Sequence, residues 1–145
     1  MLFEVDKLPA VEGVAAGQTA FVQIPTLRTF HRLMVRMKVT TGGSDIDVPV
    51  ADWGTYIGDI RLKIDGNVIE TWDVKSYLAY IKLQGESLVP GVLPIFLSQP
   101  WLRNVANEDL TSIVTSRLDT FTLEIDLKEG VVVPSGGLTV YGQTT

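Results

Sequence analysis

Apolar and polar residues alternate along much of the chain, most sharply between Gly58 and Trp72. Ile60, Leu62 and Ile64 interleave with Asp59, Arg61 and Lys63, giving the segment one oily and one charged edge, as a half-buried strand requires. Asp65-Gly66 tolerates the positive φ angles of a tight hairpin, and Val68, Ile69, Thr71 and Trp72 supply a returning strand. The stretch from His31 to Thr40 repeats the period. Leu33, Val35, Met37 and Val39 share one face, while Arg32, Met34, Arg36 and Lys38 make a basic outer face that is either solvated or pressed against another subunit. In Thr120 to Leu127, Phe121, Leu123, Ile125 and Leu127 turn inward, and Thr122, Glu124 and Asp126 turn outward.

Shorter segments fill the gaps. Thr19 to Ile24 reads as a strand closed by Pro25, Ile46 to Val50 as a short strand, and Leu138 to Tyr141 as the last one. Leu88 to Leu97 reads as a strand interrupted by Pro94, hence an edge or a bulge. Leu2, Phe3 and Val5 form a short strand or an arm laid on a neighbour. Asp73 is placed to cap a helix in which Val74, Tyr77, Leu78 and Ile81 fall at helical spacing, ending by Gly85. Glu108 to Ser112 offers one further helical turn. Seven or eight strands punctuated by Pro and Gly predict an all-β chain, an antiparallel β-sandwich or jelly roll with one or two short helices.

Composition sets the scale and removes chemistries. A chain of 145 residues, 46% hydrophobic and 20% charged, can close one core of its own, expected over about residues 14 to 127. Residues 128 to 145 then supply a last strand or a linker. A net charge of -5 with 12 dispersed basic residues argues against a nucleic-acid surface. There is no cysteine, so thiolate metal sites and disulfides are excluded. Acids at Glu4 and Asp6 stand where a signal peptide would be basic, and Leu88 to Leu97 is far short of the ~20 apolar residues that span a bilayer, so a soluble domain is expected.

His31 is the only histidine, too few for a metal triad or for most Ser-His-Asp arrangements, and it reads as a packed or solvent-facing ring. No catalytic residue and no cofactor site is expected. Asp45, Asp47 and Asp52 lie close together in sequence, the raw material of an oxygen-ligand calcium site, but they lack the EF-hand order, and solvated loop carboxylates are the preferred reading. Gly42-Gly43 lacks the Lys-Ser or Lys-Thr of a phosphate loop. Trp53, Tyr56 and Trp101, with Leu102 beside the last, sit near turns, where aromatics fill a core, make a subunit contact or stack on a sugar. These four are the interface candidates. A carbohydrate- or receptor-binding β-sandwich using Trp53, Tyr56 or Trp101 is the alternative to a self-assembling domain, and a cupin or hydrolase is a distant third.

Several stretches share order and spacing with one viral family. They are Val14-Ala15-Ala16-Gly17 leading to Ile24-Pro25, Ile60 to Gly66 with its returning strand, the helix from Asp73, Ile95-Phe96, Asp109-Leu110-Thr111, and Leu123 to Asp126. Together they resemble the N-terminal jelly-roll domain of the corticovirus-type major capsid protein, the coat of a tailless icosahedral phage with an internal membrane. Thr41 to Gly54 departs from that pattern. The resemblance implies a coat subunit made in the host cytoplasm and resident in the virion capsid, with two jelly rolls per chain and three chains per pseudo-hexagonal capsomer. Its partners would be itself, as a homotrimer, and other capsid proteins. This chain has room for one roll, so it is either half of a double-roll coat protein or a single-roll subunit.

Overall fold

The computed structural model describes residues 4–26, 29–86, 88–97, 113–114 (backbone only), 120–134 and 136–144. Among the described residues, ten strands form two antiparallel sheets. In one, β1 (Glu4–Lys7), β10 (Leu138–Thr144), β3 (Thr29–Thr41) and β4 (Ser44–Asp47) lie side by side, and β7 (Val92–Phe96) and β8 (Ile113–Val114) also pair with β3. In the other the order is β2 (Thr19–Gln23), β9 (Phe121–Leu127), β5 (Ile57–Ile64), β6 (Asn67–Asp73). The path repeatedly passes from one sheet to the other, so both share a single core. That core reaches beyond residues 14 to 127, since Leu8, Leu138 and Val140 are buried too, and β10 lies between β1 and β3.

β3 and β9 bury the residues their alternation selects. Three register shifts interrupt the ladders, one of them between β5 and β6 at Leu62/Lys63, and the other two change which residues are buried at the ends of β3 and β5. Between β10 and β3 the register steps from Gln143↔Arg32 to Thr144↔Phe30, leaving His31 as the extra residue, so Phe30 and His31 are both buried. Phe30 meets Phe121 of the opposite sheet edge-on, with centroids 6.1 Å apart at 75°. Gly142 makes room for this contact, because a Cβ there would lie 2.7 Å from the Phe30 ring. On β5 the register slips between Ile57 and Ile60, and both residues end inside. The β5–β6 hairpin closes through Asp65 (φ 51°) and Gly66 (φ 83°), both in the left-handed region a two-residue turn requires.

Residues 41 to 54 form the β3–β4 turn, β4, a 3-10 turn (Val50–Asp52) and the start of the short helix α1 (Trp53–Tyr56). The strand expected at Ile46 to Val50 therefore lies earlier and stops at Asp47. Helix α2 (Val74–Leu83) starts where the sequence places it: the Asp73 carboxylate accepts from the Ser76 N–H at 3.4 Å, and Val74, Tyr77, Leu78 and Ile81 face the core. Pro94 lies in β7, which pairs with β3 and with no other strand among the described residues, so its missing donor breaks no strand pairing on the far side. Among the described residues no helix is long and apolar enough to cross a membrane. The helical turn expected at Glu108 to Ser112 falls outside the described residues.

Candidate interaction surface

Three surfaces carry chemistry, and the first satisfies itself. On the outer face of the four-stranded sheet, cross-strand pairing sets Arg61 beside Glu124 and Thr19 beside Asp126. Arg61 Nη1 and Nη2 each donate to Asp126 at 2.7 Å, Thr19 donates its hydroxyl to Asp126 at 2.7 Å, and Lys63 Nζ lies 3.0 Å from Glu124. The Arg61 hydrogen bonds hold the Asp126 carboxyl below its ordinary range, with partial burial opposing them. Glu124 and Asp126, which the alternation turns outward, are members of this ladder. Their partners are visible only once β5 lies next to β9.

The six-stranded sheet behaves differently. Antiparallel register aligns Lys7 with Tyr141 and Arg36 with Thr139. With Lys38, Pro134, Gly136 and Gly137 they line a groove of about 440 Å³. Lys7, Arg36 and Lys38 make no ion pair among the described residues. The one carboxylate at the rim, Asp45, accepts from the Thr40 hydroxyl at 2.6 Å. A second groove of about 320 Å³ continues past Lys7 and Thr139 onto Ala10, Val11, Val14 and Val133, so the trough is basic at one end and apolar at the other. Arg32, at the far end of the same strand face, is engaged by Gln143 and stands over the Phe96 ring at 5.8 Å.

The third surface is the outer edge of the four-stranded sheet. β6 pairs with β5 alone among the described residues and is exposed along nearly its whole length, with Val68 and Ile69 about half accessible. Where β6 runs into α2, Trp72 tilts against Tyr77 at 5.4 Å, and Tyr80 lies exposed beside a shallow groove. The Tyr77 hydroxyl oxygen accepts from the Phe96 N–H at 2.8 Å, and burial pushes its phenol well above the ordinary value.

The residues singled out from sequence fare unevenly. Trp53 is corrected as an interface candidate: it is fully buried, because the 3-10 turn and α1 swing it into the core with Val48, Ile57 and Val74. It therefore cannot serve as a sugar-stacking platform. Tyr56 is half-buried against that core, and its carbonyl accepts from the Lys128 N–H at 3.0 Å. Trp101 and Leu102 lie outside the described residues. Asp45, Asp47 and Asp52 do not converge: Asp45 turns to Thr40, Asp47 lies against Gly91, and Asp52 is in the 3-10 turn, with no acidic cluster suited to a metal among the described residues. His31 is packed in the bulge, away from any described groove. Sequence reasoning missed Trp72 and Lys7. Trp72, just before the helix cap, was a readable signal for an aromatic corner, whereas Lys7 joins Arg36 only through β10.

A sandwich with charged outer faces and, among the described residues, open edges and no gathered catalytic groups suits many binding roles, so comparison decides among them. The model of a protein family described as the viral coat protein P2 N-terminal domain matches residues 5–145. The chain belongs to that family. This P2-type N-terminal domain is also similar in structure to the major capsid protein P2 from bacteriophage PM2, with a TM-score of 0.79 at 18% identity, covering 99% of this chain and 51% of that one. The STIV MCP is similar at a TM-score of 0.61 and 12% identity, covering 99% of this chain and 48% of that one. The P2-type domain thus spans about half the length of the solved structures it matches. No curated protein sequence matches it. The likeness identifies the two sheets as a jelly-roll sandwich of the kind found in capsid proteins.

Proposed function

We propose that this domain is a shell-building unit of a tailless, membrane-containing phage or a related prophage, assembling with further copies of itself and with other capsid proteins. The observation that carries the reading is the coat-protein family match along nearly the whole chain, and the two-sheet fold supports it. A shell subunit acts through its rims and outer faces, and those are where, among the described residues, the chain keeps an edge strand with one neighbour and cations without an ion pair. Its role is structural and it is not an enzyme. Assembly is as trimers, in the virion capsid, from chains made in the host cytoplasm.

Purified particles from a strain carrying the gene, analysed by quantitative mass spectrometry, test this. Peptides of this chain should be among the most abundant, at hundreds of copies per particle or more. Intact particles lacking them would overturn the reading.

A further inference from the structure

The corner where β6 runs into α2 carries hydrogen-bonding groups, rings and charges that the fold leaves unused. Among the described residues no strand lies on the far side of β6, and no backbone group from Asn67 to Trp72 bonds to anything but β5. At the end of that edge Thr71, Trp72, Asp73, Ser76, Tyr77 and Tyr80 line a groove of about 330 Å³. Its rings are fixed in advance: Trp72 tilts against Tyr77, whose hydroxyl is engaged by the Phe96 N–H. Register sets Asp73 across from Asp59, and Glu70 lies further back along the same edge strand. None of these three carboxylates makes an ion pair among the described residues. Asp73 does accept from the Ser76 N–H at 3.4 Å and from its hydroxyl at 3.3 Å, but both donors are neutral and the charge remains. The nearest lysine along the chain, Lys75, has its stem against Gly54.

An open backbone edge accepts an extended segment, and aromatic rings beside carboxylates without an ion pair accept a cation, so the occupant is extended and basic. A second β6 does not fit, because an antiparallel pair centred on Glu70 sets like charges opposite one another. Arginine suits the corner better than lysine, since its planar guanidinium stacks on a ring while its fork reaches a carboxylate. This chain uses both contacts elsewhere, with Arg32 over Phe96 and Arg61 forked onto Asp126. We propose that β6 and the groove beside it form a docking site for an extended, arginine-bearing segment of a different protein. The segment adds to the sheet as a further strand and lays its arginine on Trp72 and Tyr80 beside Asp73. The site does not depend on how the domain builds a shell, so particles lacking this chain would leave it standing.

The test selects short random peptides, displayed on yeast, on the full chain, and follows an enriched peptide by fluorescence anisotropy. Enriched sequences should carry arginine among alternating β-branched residues, and hydrogen exchange of the β6 amides should slow when the peptide binds. Asp73→Asn keeps the helix cap and removes only the charge, and Tyr80→Ala trims an exposed ring, so both variants should fold as wild type does by circular dichroism. Each should weaken peptide binding on the order of tenfold, as should lysine in place of the peptide's arginine. No enrichment over an unrelated protein, enriched sequences without arginine, affinity unchanged in both variants, or unslowed β6 exchange would each overturn the site. Two further readouts assign the corner to another occupant and overturn the proposal as well: glycan-array binding abolished by Tyr80→Ala, which gives it to a sugar, and self-association abolished by Tyr80→Ala, which gives it to a second copy.

Discussion

The two outer faces of the sandwich use the same residue types in opposite ways. On the four-stranded sheet, Arg61 and Lys63 are matched by Asp126 and Glu124 at hydrogen-bonding distance. On the six-stranded sheet, Lys7, Arg36 and Lys38 share a trough with one carboxylate that is already engaged. The first arrangement closes its own electrostatics and needs only water. The second makes no ion pair among the described residues, with Asp47 across from Lys38 on β4 as its nearest register partner, and so keeps a locally positive field. A face can therefore be assigned to solvent or to a partner by asking whether its charges are paired within the chain, a question that charge content alone does not answer.

The comparison presumes that both faces lie over one cooperative core, and the largest expected effect tests that. Phe121, from the four-stranded sheet, is wedged edge-on against Phe30 of the six-stranded sheet. Phe121→Ala removes the ring and leaves a cavity between the layers, so it should cost about 3–5 kcal/mol. Urea unfolding should still show one transition at a lower midpoint, with probes in either sheet agreeing. Two transitions would mean that the sheets unfold separately and that the faces cannot be compared as parts of one domain.

A smaller effect separates the faces directly. Arg61→Gln should cost about 1 kcal/mol at neutral pH, because it strips Asp126 of two charge-assisted hydrogen bonds on a partly shielded surface. The pH dependence has a definite sign. The Asp126 carboxyl is depressed in the folded state chiefly by its Arg61 hydrogen bonds, so the stabilisation is fully present above the unfolded carboxylate value, about 3.9, and is lost as pH falls through the folded value. Wild type and variant should thus converge in stability as unfolding is followed from pH 7 toward pH 2. A gap that stays constant down to pH 2 would break the pairing argument for this face.

How much of this was legible in the sequence depended on whether the period stayed intact. The inward faces of β3 and β9 follow uninterrupted alternation, and the Asp65-Gly66 turn and the Asp73 cap are local chemistry, so all could be read directly. Ile57 and Phe30 were hidden because a bulge resets the parity on each strand. Trp53 was misread because proximity to a turn says nothing about which way a short helix turns its ring. The basic outer face of β3 was visible in Arg32, Arg36 and Lys38, but its division into an engaged end and an open end was not. Lys7 arrives across β10 and Gln143 returns to Arg32, and these are contacts between residues more than a hundred positions or nearly thirty positions apart, with no local signal.

The smallest effect should have the opposite sign from Arg61→Gln and is the sharpest discriminator for that reason. Removing a cation from a ladder exposes a carboxylate, but removing one from an unpaired cluster relieves repulsion. Arg36→Gln should therefore leave the stability of the isolated domain unchanged or raise it by a few tenths of a kcal/mol, because Arg36 is exposed and has Lys7 and Lys38 as groove neighbours. Screening acts on the same term, so any gain should be larger at 10 mM salt than at 500 mM, where the Debye length falls to a few ångströms. Denaturation at the two salt concentrations, at protein dilutions where copies do not associate, reads this directly. A loss comparable to that of Arg61→Gln would show that Arg36 has a partner within the chain, and the contrast between the two faces would collapse.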